Sequence, residues 1–126
     1  MKPRDTFAIA ILATLLLAGC ATTQSNSAFK AGKAQANEDI ANAVLAIEQA
    51  GFLMRFDEEY VRLLKQRYGI EVRRVAFCVV HEEVEEHMRG YNKVAGAEIE
   101  RRFGKDCLSK AEHQAQALYE AKTQIH

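Results

Sequence analysis

The chain has 126 residues, and its 17 lysines and arginines balance 17 aspartates and glutamates, so the formal net charge is zero. Basic and acidic residues are interleaved throughout, which excludes the one-sided basic excess that nucleic-acid binding requires. The length allows one domain of about a hundred residues. The chain has 1 proline, Pro3, and no tryptophan, and its richness in Ala, Glu, Lys, Arg and Leu is typical of helical proteins.

The N-terminus has the three regions of a secretory signal. Two basic residues, Lys2 and Arg4, precede an uncharged stretch at residues 7–17, and small residues then lead to Cys20. This stretch of about 11 residues is shorter than the ~20 that span a bilayer as a helix. We therefore expect residues 1–19 to be a removable signal rather than a permanent membrane helix.

The signal ends in Leu17-Ala18-Gly19-Cys20, which resembles the bacterial lipobox. The resemblance implies cleavage between Gly19 and Cys20, transfer of diacylglycerol to the Cys20 thiol, and acylation of the new amino terminus, for example by palmitate. Several acyl chains hold a protein stably on a bilayer, whereas one binds only marginally. In the lipoprotein sorting pattern, an acidic residue directly after the lipidated cysteine favours the inner membrane. Ala21 occupies that position here, so the pattern favours the outer membrane and a protein that faces the periplasm. The alternative is an ordinary secretory signal that happens to end in cysteine.

A flexible tether is expected after the signal. Residues 20–36 are predicted to form the lipidated cysteine and this tether, because residues 21–27 are small and polar. The small, mainly helical periplasmic domain then occupies residues 37–126.

The first helix of the domain is clearest from Asn37 to Ala50. Apolar residues recur there at helical spacing, namely Ile40, Val44 and Ile47. Gly51 offers the usual exit from a helix. The spacing also allows the helix to begin as early as Ser27.

A second helix and a strand follow. The apolar connection at residues 52–56 leads to Asp57, whose side chain can cap a helix that ends at Gly69. Residues 70–80 are the one segment rich in β-branched residues and are predicted to form a strand. Their apolar alternation shifts phase at Arg73-Arg74, which favours a bulge or bend there. A lone strand cannot satisfy its backbone hydrogen bonds, so its partner must be the 52–56 connection, a terminus or another copy of the chain.

Two more helices complete the predicted domain. Apolar residues at helical spacing run from Glu82 to Phe103. Gly90 and Gly96 weaken this helix and could split it near Tyr91-Asn92. Asp106 starts a last helix with a narrow apolar stripe. The expected fold class is α+β and mainly α-helical, with about four helices and one strand or a short hairpin.

Four short segments carry a resemblance to a known family. In chain order they are Leu64-Lys65-Gln66-Arg67-Tyr68-Gly69-Ile70, Val75-Ala76-Phe77-Cys78, Gly90-Tyr91-Asn92 and Phe103-Gly104-Lys105-Asp106. Together they resemble the FEKKY domain over roughly residues 58–112. Leu64 and Lys65 stand where the family has its name-giving phenylalanine and glutamate. The resemblance implies a compact α+β domain and assigns no catalytic residue, because the family has no established activity.

Candidate catalytic groups are sparse. Glu83 and His87 lie four apart on the third predicted helix and could share a metal ion, but the second histidine of zinc protease helices is missing. A solvated acidic helix start explains the same residues. A cysteine nucleophile would need Cys78 with His81 or His113 as its base, yet Cys78 is expected to be buried. We therefore predict no catalytic residue, no metal and no cofactor.

Tyr91 and Asn92 are weak candidates for ligand binding. The alternative is a structural pair, since an amide and a phenol buried at a helix kink must find hydrogen-bond partners. Four arginines could also gather into an anion-binding patch. They are Arg73, Arg74, Arg101 and Arg102. Surface ion pairs with the abundant glutamates are the favoured interpretation of these arginines.

The cysteine count predicts a disulfide. Lipidation uses Cys20 and leaves Cys78 and Cys107 as an even pair in a compartment where disulfides persist. A bond between them would close a loop of about thirty residues and contribute roughly 3–4 kcal/mol. The alternative is two unpaired thiols, one buried and one exposed, since bonding needs Cα atoms within roughly 7 Å.

These patterns predict a membrane-anchored bacterial lipoprotein whose small periplasmic domain binds an envelope protein or a small ligand. Its first partner is the lipid bilayer, through acylated Cys20, and no nucleic acid is expected. One alternative is a small periplasmic hydrolase using a metal at Glu83 and His87 or a free cysteine. A second alternative is a homo-oligomer, in which another copy of the chain supplies the partner of the strand.

Overall fold

The computed structural model describes residues 19–125, so the predicted signal before Gly19 lies outside the described residues. Within that range the chain forms four α-helices and a two-stranded sheet. The elements are α1 (Gly19–Ala41), β1 (Leu45–Ala50), α2 (Asp57–Leu63) with a π-helical turn at Leu64–Tyr68, β2 (Ile70–Ala76), α3 (Glu82–Phe103) and α4 (Cys107–Thr123). The predicted mainly helical α+β fold is confirmed.

The two strands pair in parallel, and α2 makes the crossover between them. The register begins with Leu45 opposite Ile70, and Val75 is left out of the pairing near the end. This irregularity follows directly on the Arg73-Arg74 phase shift in the sequence. The partner of the predicted strand is therefore β1, which is none of the three partners that the sequence suggested, and the sheet is a crossover unit rather than a hairpin.

The predicted helix from Asn37 to Ala50 is wrong after Ala41. α1 ends at Ala41, Ala43 adopts a positive φ of 60°, and β1 then begins. The first four residues of β1 are buried in succession, so this segment lies between two layers of the fold. A short apolar run buried on both faces has no periodicity that separates a strand from a helix.

The segment predicted to be a flexible tether is also helical, as part of α1. Ala28, Gly32 and Ala36 lie four residues apart and are buried. A Cβ at Gly32 would overlap the carbonyl oxygen of His87, so the backbones of α1 and α3 touch at this point. Small residues resemble a tether in composition, yet they are what allows two helices to approach so closely.

Glycines end two helical segments as predicted. Gly69, with a φ of 68°, ends the π-helical turn, and Gly104 ends α3. The split that Gly90 and Gly96 could cause near Tyr91-Asn92 is not observed, because α3 is continuous. Gly90 instead serves helix packing, since a Cβ there would overlap the carbonyl oxygen of Phe29 in α1.

Buried side chains form two clusters on opposite faces of β1, because successive residues of a strand point to opposite sides. Leu45 and Ile47 belong to the larger cluster, with residues of α2, β2 and α4. Ala46 belongs to the smaller cluster, with Tyr91 and Ala95 of α3. In the described part of the chain, no helix is long and apolar enough to cross a membrane.

Candidate functional site

Polar side chains gather where α1 and α3 meet the sheet. Asp39 of α1 accepts hydrogen bonds from the Tyr91 hydroxyl and from Arg73 Nη1, both at 2.6 Å. The hydrogen bond from Tyr91 and the charge of Arg73 hold the pKa of Asp39 below its ordinary value. Burial and the hydrogen bond to Asp39 raise the pKa of Tyr91 well above its usual range. A charged carboxylate thus ties two helices to β2.

Asn92 supports β1 through its side chain. Its Oδ1 accepts from the backbone N–H of Glu48 at 2.8 Å, and its Nδ2 donates to the backbone oxygen of Glu48 at 2.7 Å. The amide thus takes the place that a neighbouring strand would take on this edge of β1. Tyr91 and Asn92 are therefore both engaged by protein groups. This arrangement matches the structural pair that the sequence offered as the alternative to ligand binding.

Glu48 is a buried acid that sequence reasoning missed. Only 4% of its side chain is exposed, and its Oε2 lies 3.2 Å from Nδ1 of His87. A buried carboxylate requires such a polar partner. Strand alternation would have placed Glu48 on the same face as Ala46, but the surrounding segment had been assigned to a helix. No sequence signal indicated the role of Asp39.

The structure gives the proposed metal pair no further ligand. His87 turns towards Glu48, while Glu83 is exposed. Among residues 19–125, no group of three or more His, Cys, Asp and Glu side chains is arranged to hold a metal ion. The residues at the start of α3 fit the acidic helix start that was the alternative interpretation.

Cys78 and Cys107 are free thiols in the structure, so the predicted disulfide is not formed there. β2 ends at Ala76, and Cys78 is therefore exposed in the following loop instead of being buried in a strand. Cys107 starts α4 and is buried in the larger cluster, where burial raises the pKa of its thiol. This corresponds to the alternative of one exposed and one buried thiol.

The arginines form ion pairs rather than an anion-binding patch. Arg74 contacts Asp57 at 2.8 Å, so this aspartate pairs with a strand residue and makes no side-chain cap for α2. Arg101 and Arg102 both contact Glu98, at 2.7 and 2.6 Å. Their hydrogen bonds lower the pKa of Glu98 to about 2. The strand arginines and the helix arginines thus have separate acidic partners.

Large apolar side chains are exposed at the end of the sheet where both strands stop. The exposed fractions are 84% for Phe52, 59% for Leu53, 61% for Phe77 and 70% for Val79. The backbone N–H of Gly51 donates to Ala76 at 3.1 Å, which places the two chain segments side by side. We call these four side chains the apolar end face.

A shallow, open groove of about 690 Å³ begins at Leu53 and continues along α2. Met54 and Val61 line it together with charged side chains such as Arg62. Its openness to solvent suits contact with a surface better than enclosure of a small molecule.

The lipobox and FEKKY resemblances rest on the quoted residues of this chain and remain predictions. Comparison of the chain with protein families, with curated proteins and with solved structures finds no match.

Proposed function

We propose that the chain is the precursor of a bacterial outer-membrane lipoprotein whose small periplasmic domain binds an envelope component, either a protein or a small ligand. The observation that carries the proposal is Leu17-Ala18-Gly19-Cys20 directly after a charged and then apolar N-terminus. Acylation of Cys20 would make the bilayer the first partner of the protein.

The position of α1 supports a domain held close to its membrane. Cys20 lies in the first turn of this helix, and the helix packs on α3 from Ala28 onwards. An anchored residue that continues into a packed helix leaves no long flexible linker between the lipid and the domain.

The buried polar side chains support a binding role rather than catalysis. Asp39, Glu48 and Asn92 are engaged in contacts that fasten α1, α3 and the strands to one another. The described surface instead offers accessible apolar features, among them the open groove along α2 that Met54 and Val61 line. Exposed apolar groups of this kind mark interaction surfaces.

The anchor is tested by expressing the full chain in bacteria fed with an alkyne analogue of palmitate. We expect incorporation of the label, loss of the signal by mass spectrometry, and recovery in the outer-membrane fraction on a density gradient. Cys20→Ser is the matched control and should remain unlabelled. Release of an unlabelled mature protein from the periplasm of cells with the native sequence would contradict the proposal.

The binding role is tested separately by amine-reactive crosslinking in intact cells, followed by purification and identification of the retained molecules. We expect an envelope component to be retained by the native chain. Retention of nothing beyond lipid would count against binding while leaving the anchor intact.

A further inference from the structure

The apolar end face lies where the two parallel strands stop. Its side chains belong to the segments that follow β1 and β2, and these segments are held together by the hydrogen bond from Gly51 to Ala76. Phe52 and Phe77 are exposed aromatic residues on the two segments. Exposed apolar groups concentrated in one place on a small domain indicate contact with another apolar phase.

α3 starts at the same end of the molecule. His87, near its beginning, lies beside Glu48, close to the end of β1. Ile99, near its other end, belongs to the same buried cluster as Leu45 and Ile70, the first residues of the two strands. α3 therefore runs antiparallel to the strands and begins beside the apolar end face.

α1 runs in the same direction as α3. Gly32 touches His87, and Ala36, one turn further on, shares a cluster with Ala95. Only three residues separate Ala41, the last residue of α1, from the start of β1, so α1 ends where the strands begin. Its N-terminal end therefore points towards the apolar end face. Cys20 precedes Gly32 by 12 residues, about 18 Å of helix.

We propose that the apolar end face rests on the surface of the zwitterionic bilayer that holds acylated Cys20. The inference depends on the proposed lipoprotein anchor. α1 continues from its packed part at Ala28 back to Cys20, which directs the anchor to the same side of the domain as the four exposed apolar side chains, so membrane attachment brings that face towards lipid. Exposed Glu82 and Glu83 begin α3 beside the face, while exposed Arg55 lies two residues after Leu53, so the nearby charges are mixed and suit a zwitterionic surface.

Tryptophan fluorescence tests this orientation, because the chain has no tryptophan of its own. Phe52→Trp places a single reporter on the apolar end face, at a position that is 84% exposed. Phe103→Trp is the matched control at the opposite end of α3, where the native side chain is 40% exposed. Each lipidated full-length variant is reconstituted in phosphatidylcholine vesicles with and without brominated phosphatidylcholine.

We expect the Phe52→Trp emission to shift to shorter wavelength and to be quenched roughly twofold by brominated lipid, since groups resting on a bilayer lie about 5–10 Å deep. The Phe103→Trp emission should not change. Equal quenching of the two reporters in vesicle-bound, lipidated protein would overturn the orientation and leave the anchor standing. If the Phe52→Trp emission shifts to shorter wavelength but is not quenched by brominated lipid, and the shift disappears on dilution, the apolar end face contacts a second copy of the chain and the proposed contact with the bilayer is wrong. Absence of lipid on Cys20 by mass spectrometry would overturn both proposals.

Discussion

Replacement of Gly90 by alanine should destabilise the domain, although alanine has a higher helix propensity than glycine. An added Cβ would overlap the carbonyl oxygen of Phe29 and lie 2.9 Å from its carbonyl carbon. Both atoms belong to the backbone of α1, so no side-chain rotation can relieve the contact. The two helices must move apart or shift along each other.

The magnitude follows from two opposing effects. Overpacking of a rigid contact costs up to about 3 kcal/mol. If α1 and α3 move apart by about 0.5–1 Å, the atoms that face each other lose about a quarter to a half of their dispersion energy. Glycine to alanine within a helix contributes about 1 kcal/mol in the opposite direction. We therefore expect Gly90→Ala to lose about 2 kcal/mol, which lowers the Tm of a domain of this size by about 10 °C.

Gly96 in the same helix provides the matched control. A Cβ at this position meets nothing within 4 Å. Gly96→Ala should therefore gain up to about 1 kcal/mol from helix propensity alone. Urea unfolding of residues 21–126, followed by circular dichroism, measures both variants. Equal stability of Gly90→Ala and Gly96→Ala would refute the close backbone contact between α1 and α3.

Three further predictions concern the polar groups and thiols. Asn92→Ala should cost about 1–3 kcal/mol by urea unfolding, because it leaves the backbone groups of Glu48 unpaired at the edge of β1; no measurable loss would exclude this role. Folding lowers the pKa of Asp39. The charged carboxylate therefore contributes its full share to the stability of the fold above its ordinary pKa of about 4, and this contribution is lost as the pH falls through the lowered pKa. Unfolding between pH 7 and pH 2 should show a steeper loss of stability for the native chain than for Asp39→Asn, and identical slopes would contradict it. Without reductant, a thiol reagent should modify exposed Cys78 quickly and buried Cys107 only after denaturation; no reactive thiol in the denatured protein would instead establish the disulfide.

The candidate site could be anticipated only in part. The sequence indicates Tyr91 and Asn92 as a phenol and an amide that need hydrogen-bond partners if buried, and both make part-buried hydrogen bonds. The sequence does not reveal their partners. Asp39 lies in a helix, as the apolar spacing predicts, but its contacts come from distant residues. Glu48 lies in a segment that the same spacing assigns to a helix and that forms β1 instead. A hydrogen bond between residues 44 positions apart, such as that from Asn92 to Glu48, leaves no local pattern in the sequence.

The sequence by itself determined the helices that begin and end with local signals. Gly69 and Gly104 end helical segments because their positive φ values suit a residue without a Cβ, and the apolar spacing from Glu82 to Phe103 places one continuous face of α3 against the fold. Such features depend on neighbouring residues only. They are therefore readable without knowledge of the rest of the chain.

Tertiary structure decided the state of residues 28–50. Ala28, Gly32 and Ala36 look like tether residues until α3 packs against them, and Leu45–Ala50 fits a helical period until β2 offers its edge. In both segments the deciding contacts come from residues far along the chain. Burial of small side chains and pairing of a strand release free energy only when those distant partners are in place. The apolar spacing therefore allows a helix from Ser27 without deciding between helix and tether, and it does not predict the strand.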